Sequence, residues 1–252
     1  MLSITTDSFA GYGLHHAFEL AKKAGLDGIE VVIRRNDLDT QNPTYLKQLS
    51  EQYELPIVAL SIPAGLAMNE DKAKRAFDLA KKIEAPLVSL STPDIFNFSY
   101  KKWITDELIK LQRKYDLQIA MVNPPADSLF GIMPKYAFND PYELKKFENL
   151  VFDTSNVSSR SEPLLELYSI FRPKIRQIHL ANAQHEMKHT LLANGTVPLE
   201  SFLIHLARDK FNGILTLKLN PKSLGVGSEE RVLENIDLCK KFVERYFPAE
   251  NK

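Results

Sequence analysis

The sequence lacks the features of disulfide-rich, membrane-spanning and strongly basic proteins. Its 252 residues include one cysteine, so no disulfide can close within the chain and nothing points to an oxidising compartment. No apolar run approaches the ~20 residues of a transmembrane helix, and the first residues lack the basic start and apolar core of a signal peptide. Lysine plus arginine equals aspartate plus glutamate, 32 each. This balance gives no electrostatic reason to expect nucleic acid or an anionic membrane as a partner, and we expect a soluble, cytoplasmic protein.

What is present is an ordinary globular composition. Hydrophobic residues make up 44% of the chain and charged residues 25%, as in typical soluble domains. The length suits one α/β barrel. No composition shift marks a boundary, so we predict a single domain over residues 1–252. Cys239 lies in an apparent C-terminal helix, and we expect it to be buried and unreactive.

Short apolar runs alternate with helical patterns along the whole chain. The runs are nearly continuous in apolar residues, which is typical of parallel strands that are buried on both faces. Eight alternations predict a (β/α)8 barrel first and an open, doubly wound sheet second. The predicted strands are 2–5, 28–33, 56–63, 86–92, 118–125, 150–154, 175–180 and 214–219. The predicted helices are 14–24, 43–53, 69–84, 99–115 (with Ser99 as its cap), 140–148, 162–171, 198–210 and 229–246.

Polar side chains follow the last three predicted strands at the point where each run ends. In a barrel of parallel strands these ends meet at one rim, where active sites lie. We therefore expect one pocket to collect Asp153, Asn156, His179, Asn182 and Lys218.

The period of two along a strand indicates which of these side chains face the barrel interior. In LTLKL, Thr216 and Lys218 share one face and the leucines share the other; His179 alternates with Gln177 in the same way. Glu30, at the end of the second strand, is a further inward carboxylate. Each has an alternative interpretation: Lys218 exposed to solvent, His179 as a structural histidine, and Glu30 as a salt-bridge partner instead of a general base.

A long loop at about 126–139 joins the fifth strand to the next helix. It contains Phe130, Met133, Tyr136 and Phe138. Loops of this length often cover ligands. These aromatic residues either cover a ligand or only pack against the barrel, and the sequence leaves both open.

Taken together, the strand ends resemble the xylose-isomerase-like TIM barrels. That family includes sugar-phosphate isomerases and epimerases, inosose dehydratases and type IV AP endonucleases. The segments that carry the resemblance are AGLDGIEV (24–31), NPP (123–125), FDTSN (152–156), IHLANA (178–183), HTLLANGTVP (189–198) and LKLNP (217–221).

The resemblance implies a divalent-metal site, which this sequence has largely lost. Asp153 and His179 match the family's acidic and histidine ligands. Val122 and Lys218 stand where the family has its two ligating glutamates, which also act as the acid/base pair in the epimerases. Valine offers no lone pair and lysine brings a cation. We therefore predict no metal cofactor (no Mn, Mg or Zn), with the Lys218 ammonium near the metal's position and Asp153 as its counter-ion.

The first functional hypothesis is a sugar phosphate isomerase/epimerase-like protein that takes a small sugar or polyol in the barrel mouth. Its proton transfers need a positioned acid and base. The alternative is a non-catalytic barrel that binds or scaffolds; DNA repair of the AP endonuclease kind is a weaker third hypothesis, because it needs a multinuclear zinc site. A homodimer is left open. The candidate catalytic residues are Lys218, His179, Asp153 and Glu30, and the candidate ligand-binding residues are Asn123, Asn156, Asn182 and His189.

Overall fold

A closed barrel of eight parallel strands forms the centre of the protein in a computed structural model, which describes residues 1–63, 68–184 and 187–248. Each barrel strand pairs with the next one along the chain, and the last pairs with the first. The predicted barrel is confirmed, and the open sheet is excluded. The barrel strands are β1 (Leu2–Thr5), β2 (Gly28–Val32), β3 (Ile57–Ile62), β4 (Leu87–Leu90), β5 (Gln118–Val122), β8 (Leu150–Asp153), β9 (Ile175–Leu180) and β12 (Ile214–Leu217).

Burial on both faces explains the composition of the strands. Every residue of β2, β3, β4 and β8 is buried. Side chains that point outward pack against the helices in the main core. A smaller apolar cluster fills the interior at Ala59, Leu87, Ala120, Val122 and Val151. Buried polar side chains occupy other strand positions, among them Glu30 on β2, Asp153 on β8, Gln177 and His179 on β9, and Thr216 on β12.

The larger helices surround the barrel. Asparagine side chains cap several of their N-termini, and Asn97 accepts a hydrogen bond from the backbone N–H of Tyr100 at 3.3 Å. The predicted cap at Ser99 is therefore wrong, because the helix begins one residue earlier. These helices are α1 (Leu14–Lys23), α2 (Pro43–Gln52), α3 (Glu70–Ile83), α4 (Phe98–Tyr115), α6 (Leu164–Phe171), α7 (Leu199–Arg208) and α9 (Glu229–Tyr246).

Several short helices and strands lie at the C-terminal ends of the barrel strands. The helix predicted at 140–148 is only a 3₁₀ turn, Pro141–Lys146. The helices α5 (Thr154–Ser159) and α8 (Pro221–Leu224) follow β8 and β12 closely. Two small hairpins complete this face: β6 (Ser128–Leu129) with β7 (Met133–Pro134), and β10 (Asn182–Gln184) with β11 (Met187–Thr190).

Across the described ranges, no helix combines the length and apolarity needed to span a membrane. Cys239 is 1% exposed in α9, and burial raises the pKa of its thiol to about 11. A thiol with so high a pKa is a poor nucleophile, as expected for a buried structural cysteine.

Candidate functional site

A cavity of about 250 Å³ opens at the C-terminal end of the barrel. We call it the mouth cavity. Four of the predicted site residues line it, together with Val122 and several loop residues. Its lining consists of Pro63, Ser91, Thr92, Val122, Asn123, Pro124, Pro125, Asp127, Tyr136, Asn156, Lys188, His189 and Lys218.

A larger cavity of about 490 Å³ lies elsewhere, between α2 and α3. It is lined by alkyl side chains and by charged side chains that reach solvent, such as Arg35, Arg75 and Lys82. Among its described lining residues no titratable side chain is buried. The mouth cavity is the better candidate because it opens onto buried charged groups.

Below the mouth cavity, Lys218 forms an ion pair with Asp153. The Lys218 Nζ lies 2.9 Å from Asp153 Oδ2 and 3.5 Å from His179 Nδ1. Strand register explains the convergence: Asp153 pairs with His179, and His179 pairs with Thr216. Lys218 lies two residues beyond Thr216 and so faces inward. The ion pair predicted from the sequence is present.

Glu30 joins this group from the opposite wall of the barrel. Its Oε1 lies 3.1 Å from His179 Nε2 and accepts a hydrogen bond from Ser89 Oγ at 3.3 Å. Glu30 and His179 are each 1% exposed and Asp153 is 0% exposed, whereas the Lys218 side chain is 27% exposed. We call Glu30, Asp153, His179 and Lys218 the charged cluster.

His189 reaches the same aspartate from the β10–β11 hairpin. Its Nε2 lies 3.3 Å from Asp153 Oδ2. The backbone of His189 has a φ of 60°, an uncommon conformation for a residue other than glycine. It is held on both sides, because its N–H donates to Ser155 Oγ at 3.1 Å and its carbonyl accepts from the Asn220 N–H at 2.6 Å. Backbone held in this region is frequent at functional sites.

The charged groups of the cluster shift one another's pKa values toward the charged forms. Burial alone would raise the pKa of Asp153, but Lys218 and His189 outweigh burial and hold it well below its usual range. Burial alone would likewise raise the pKa of Glu30, yet His179 lowers it. Asp153 keeps the pKa of the Lys218 ammonium raised despite burial. Both carboxylates are therefore ionised and Lys218 is protonated at neutral pH.

Two of the candidate asparagines line the cavity while bonding to backbone. Asn123 Nδ2 donates to the carbonyl of Asp153, and its Oδ1 accepts from the Asp153 N–H. Asn156 Nδ2 donates to the Asn123 carbonyl at 2.8 Å. The Asn156 N–H donates to Asp153 Oδ1, which makes Asp153 the cap of α5. These amides fix the position of Asp153.

Asn182 is not brought to the mouth cavity. Its Oδ1 accepts from the N–H groups of Ala183 and Val197, and its Nδ2 donates to the carbonyl of Leu192. The side chain holds the 182–197 loop together. Gly195 packs so closely on this amide that a Cβ there would overlap it. The predicted ligand contact at Asn182 is thus replaced by a structural role.

Asp127 and Lys188 were missed from the sequence because they come from loops without a periodic pattern, whereas Tyr136 was among the aromatic residues named as possible ligand contacts. Asp127 and Lys188 form an ion pair across the mouth. Tyr136 lines the cavity from the 126–139 loop, where its neighbour Phe138 is buried against the core. Phe130, in contrast, is 94% exposed. The loop thus divides: one aromatic side chain lies at the cavity, one packs and one projects into solvent.

No family model and no curated protein matches the sequence. Solved structures match it well. A D-psicose 3-epimerase with D-tagatose, from Clostridium cellulolyticum H10, has a TM-score of 0.75 at 11% identity, covering 98% of this chain and 99% of its own. A probable 3-DHS dehydratase from Bacillus anthracis has a TM-score of 0.70 at 13% identity, over 95% and 98% of the two chains.

A xylose isomerase domain protein from Planctomyces limnophilus has a TM-score of 0.69 at 15% identity, over 99% of this chain and 98% of its own. Such likeness, at these low identities, concerns the fold. It extends over essentially the full length of both chains in each pair. Together with the closed barrel of eight parallel strands, it shows that this chain has the fold of the xylose-isomerase-like TIM barrels.

Proposed function

We propose that the mouth cavity binds a small sugar or polyol and that the protein moves a proton on the carbon beside the ligand's carbonyl group. The observation that carries this proposal is the ion pair of Lys218 with Asp153 at the cavity floor. An ammonium has three N–H donors. Asp153 and His179 can take two, which leaves one for a ligand oxygen.

The residues present do not fit the divalent metal that such barrels commonly use. Val122, which lines the cavity, offers no donor atom. The Lys218 ammonium lies against Asp153 Oδ2 and His179 Nδ1, the atoms that would have to ligate a metal. A second cation there would be repelled by the first. In this proposal Lys218 supplies the positive charge and no step passes through a metal.

His189 is the proposed proton carrier. The Asp153 carboxylate accepts a hydrogen bond from His189 Nε2–H, so Nδ1 retains the lone pair. Nδ1 takes the proton from the carbon beside the carbonyl. The electron pair of the broken C–H bond moves to the carbonyl oxygen, and the Lys218 ammonium stabilises the enediolate. Return of the proton from His189 to the former carbonyl carbon, with the proton of the adjacent hydroxyl passing to the former carbonyl oxygen, gives an isomer.

A Schiff base on Lys218 is not part of the proposal. The neighbouring Asp153 keeps the pKa of Lys218 raised, so the amine is protonated and not nucleophilic. The ammonium acts as a fixed charge.

One observation favours the alternative of a binding protein without catalysis. Neither carboxylate of the charged cluster lines the mouth cavity, and Asp127, which does, is paired with Lys188. A ligand there meets no unpaired carboxylate base among the described lining residues. Proton transfer then depends on His189 alone.

Deuterium exchange tests the proposal. Ketoses and aldoses of four to six carbons are incubated with the protein in D₂O, with and without a chelator, and C–H exchange is followed by NMR. We expect the wild type to catalyse exchange at the same rate with and without the chelator. H189N should bind the sugar without catalysing exchange, and H205Q, a control on α7 outside the cavity, should catalyse exchange like the wild type. Binding without exchange in the wild type would favour the binding protein. Absence of both would refute the proposal.

A further inference from the structure

We propose that Glu30 is a positioning residue: it fixes the proton of the His179 ring on Nε2, so that Nδ1 presents its lone pair to the Lys218 ammonium. This inference rests on the proposed function of the mouth cavity for its catalytic meaning. It reassigns Glu30, which the sequence had suggested as a general base.

Glu30 cannot touch a ligand. It is 1% exposed and does not belong to the lining of the mouth cavity. Its hydrogen bonds run to His179 Nε2 and Ser89 Oγ. The hydrogen-bonded path from Glu30 to the cavity therefore runs through the His179 ring, and the Glu30 charge in addition raises the pKa of Lys218.

The geometry of His179 decides which nitrogen carries the proton. An ionised carboxylate accepts hydrogen bonds and cannot donate them, so Nε2, which lies 3.1 Å from Glu30 Oε1, must be the N–H nitrogen. In the neutral ring the other nitrogen, Nδ1, is then an acceptor. Lys218 Nζ lies 3.5 Å from it. A carboxylate behind one imidazole nitrogen both orients the ring and raises the basicity of the other nitrogen.

Without Glu30 the Nε2–H tautomer loses its partner, whereas the opposite tautomer still has a carboxylate nearby. Asp153 Oδ2 lies 3.6 Å from His179 Nδ1, so a proton on Nδ1 could be donated to Asp153. That proton would face Lys218 and compete with it for the same carboxylate oxygen. Glu30 thus keeps Asp153 Oδ2 available to Lys218 and to His189, the other side chain that contacts it.

Nitrogen-15 NMR of histidine-labelled protein, at alkaline pH where the ring is neutral, tests the tautomer directly. We expect the Nε2–H tautomer of His179 in the wild type. E30Q retains it, because the glutamine carbonyl can accept the same hydrogen bond. E30M, which has a similar size and no acceptor, shifts the ring to the Nδ1–H tautomer.

Competitive acetylation followed by mass spectrometry gives the consequence for the cavity. Lys218 is expected to react several-fold faster in E30M than in E30Q, because both variants lack the Glu30 charge and only E30M also loses the lone pair of His179 Nδ1 as an acceptor for the ammonium. S89A removes only the hydroxyl that donates to Glu30, and it should leave both the tautomer and the acetylation rate unchanged.

Two results would overturn the inference: the Nε2–H tautomer persisting in E30M, or an Nδ1–H tautomer in the wild type. The tautomer of His179 in the wild type can be measured even if E30M does not fold. Neither readout uses a ligand. If the tautomer and the lysine reactivity behave as expected while no sugar undergoes exchange, Glu30 still positions Lys218 and only the proposed function fails.

Discussion

At the scale of single residues, the most consequential feature is the lysine at the barrel mouth, Lys218. The ammonium lies against Asp153 Oδ2 and His179 Nδ1, and His189 Nε2 contacts the same carboxylate oxygen. Asp153 Oδ2 lies 3.6 Å from the first imidazole nitrogen and 3.3 Å from the second. Lysine supplies one fixed charge that cannot dissociate from the protein, whereas a bound ion exchanges with solvent.

Removing that charge should be costly. In K218M, Asp153 stays buried without its principal counter-ion. Breaking a buried ion pair by deleting one partner costs about 3–5 kcal/mol, and we expect a loss of that order in the free energy of unfolding from urea titrations at neutral pH. K222M, an exposed lysine in α8, is the matched control and should change stability little. A K218M loss no larger than that of K222M would show that the ion pair contributes nothing.

Reversing the same charge should create a metal site. With bonds of about 2.0–2.1 Å, the ligands of a tetrahedral zinc ion lie roughly 3.4 Å apart, close to the 3.3 and 3.6 Å separations around Asp153. We expect K218E to bind Zn²⁺ stoichiometrically in calorimetry. K188E places a carboxylate at the same cavity but away from Asp153, and it serves as control. Equal zinc binding by the two variants would contradict the geometry.

The sequence predicts the residues that follow barrel strands and misses those in loops. Asp153, His179 and Lys218 could be placed together because strand order and the period of two fix both position and direction. Lys188 and Asp127 meet only through the course of two loops, which no periodicity describes. Asn182 follows a strand as predicted, yet its amide turns to backbone groups that only the folded loop brings near.

At the scale of elements, β10 and β11 carry His189 to the site, and the Asn182 side chain ties the surrounding loop together. Asn182 makes three hydrogen bonds to backbone within the loop. In N182A the buried backbone groups lose their partners, at about 1–3 kcal/mol each where no water replaces them. We expect faster amide hydrogen exchange across 187–197. N194A, an exposed asparagine of the same loop, should leave exchange unchanged, and equal protection in both variants would refute the anchoring role.

Barrel strands and long helices are predictable because their patterns extend over many residues. Every predicted barrel strand overlaps an observed one, from Leu2–Thr5 to Ile214–Leu217. The short elements are different in kind. The helix α5 is six residues long and is capped by Asp153, so it depends on a side chain that also belongs to the charged cluster. Elements of two to six residues owe their stability to such tertiary contacts, and local sequence carries little signal of them.

At the scale of the whole molecule, the charged cluster makes the stability of the fold depend on pH. The folded protein lowers the pKa of Asp153 from 3.8 and that of Glu30 from 4.5. The two carboxylates therefore contribute fully to stability above these pH values, and the contribution is lost as the pH falls through their pKa values in the folded protein. For His179, burial alone would lower the pKa but Glu30 raises it above 6.5. The contribution of His179 to stability is complete below pH 6.5 and is lost as the pH rises through the pKa of His179 in the folded protein.

The free energy of unfolding should therefore be highest between roughly pH 4.5 and pH 6.5. Urea titrations across the acidic to alkaline range measure it. H179Q, which cannot become protonated, should lack the decline that begins above pH 6.5 and should keep the part of the acidic decline that is due to Asp153. An identical alkaline decline in H179Q and the wild type would assign that decline to other groups.

The burial of Lys218 with Asp153 also restricts the order in which this sequence can change. Replacing either residue first leaves the other buried charge without its main counter-ion, so each single step passes through a weakened protein. A direct change of Lys218 to an acid gathers three carboxylates and is tolerable only where a cation from solution enters at once. Descendants of this barrel that lose the lysine are therefore expected to lose Asp153 with it or to become dependent on a metal. The two positions should vary together.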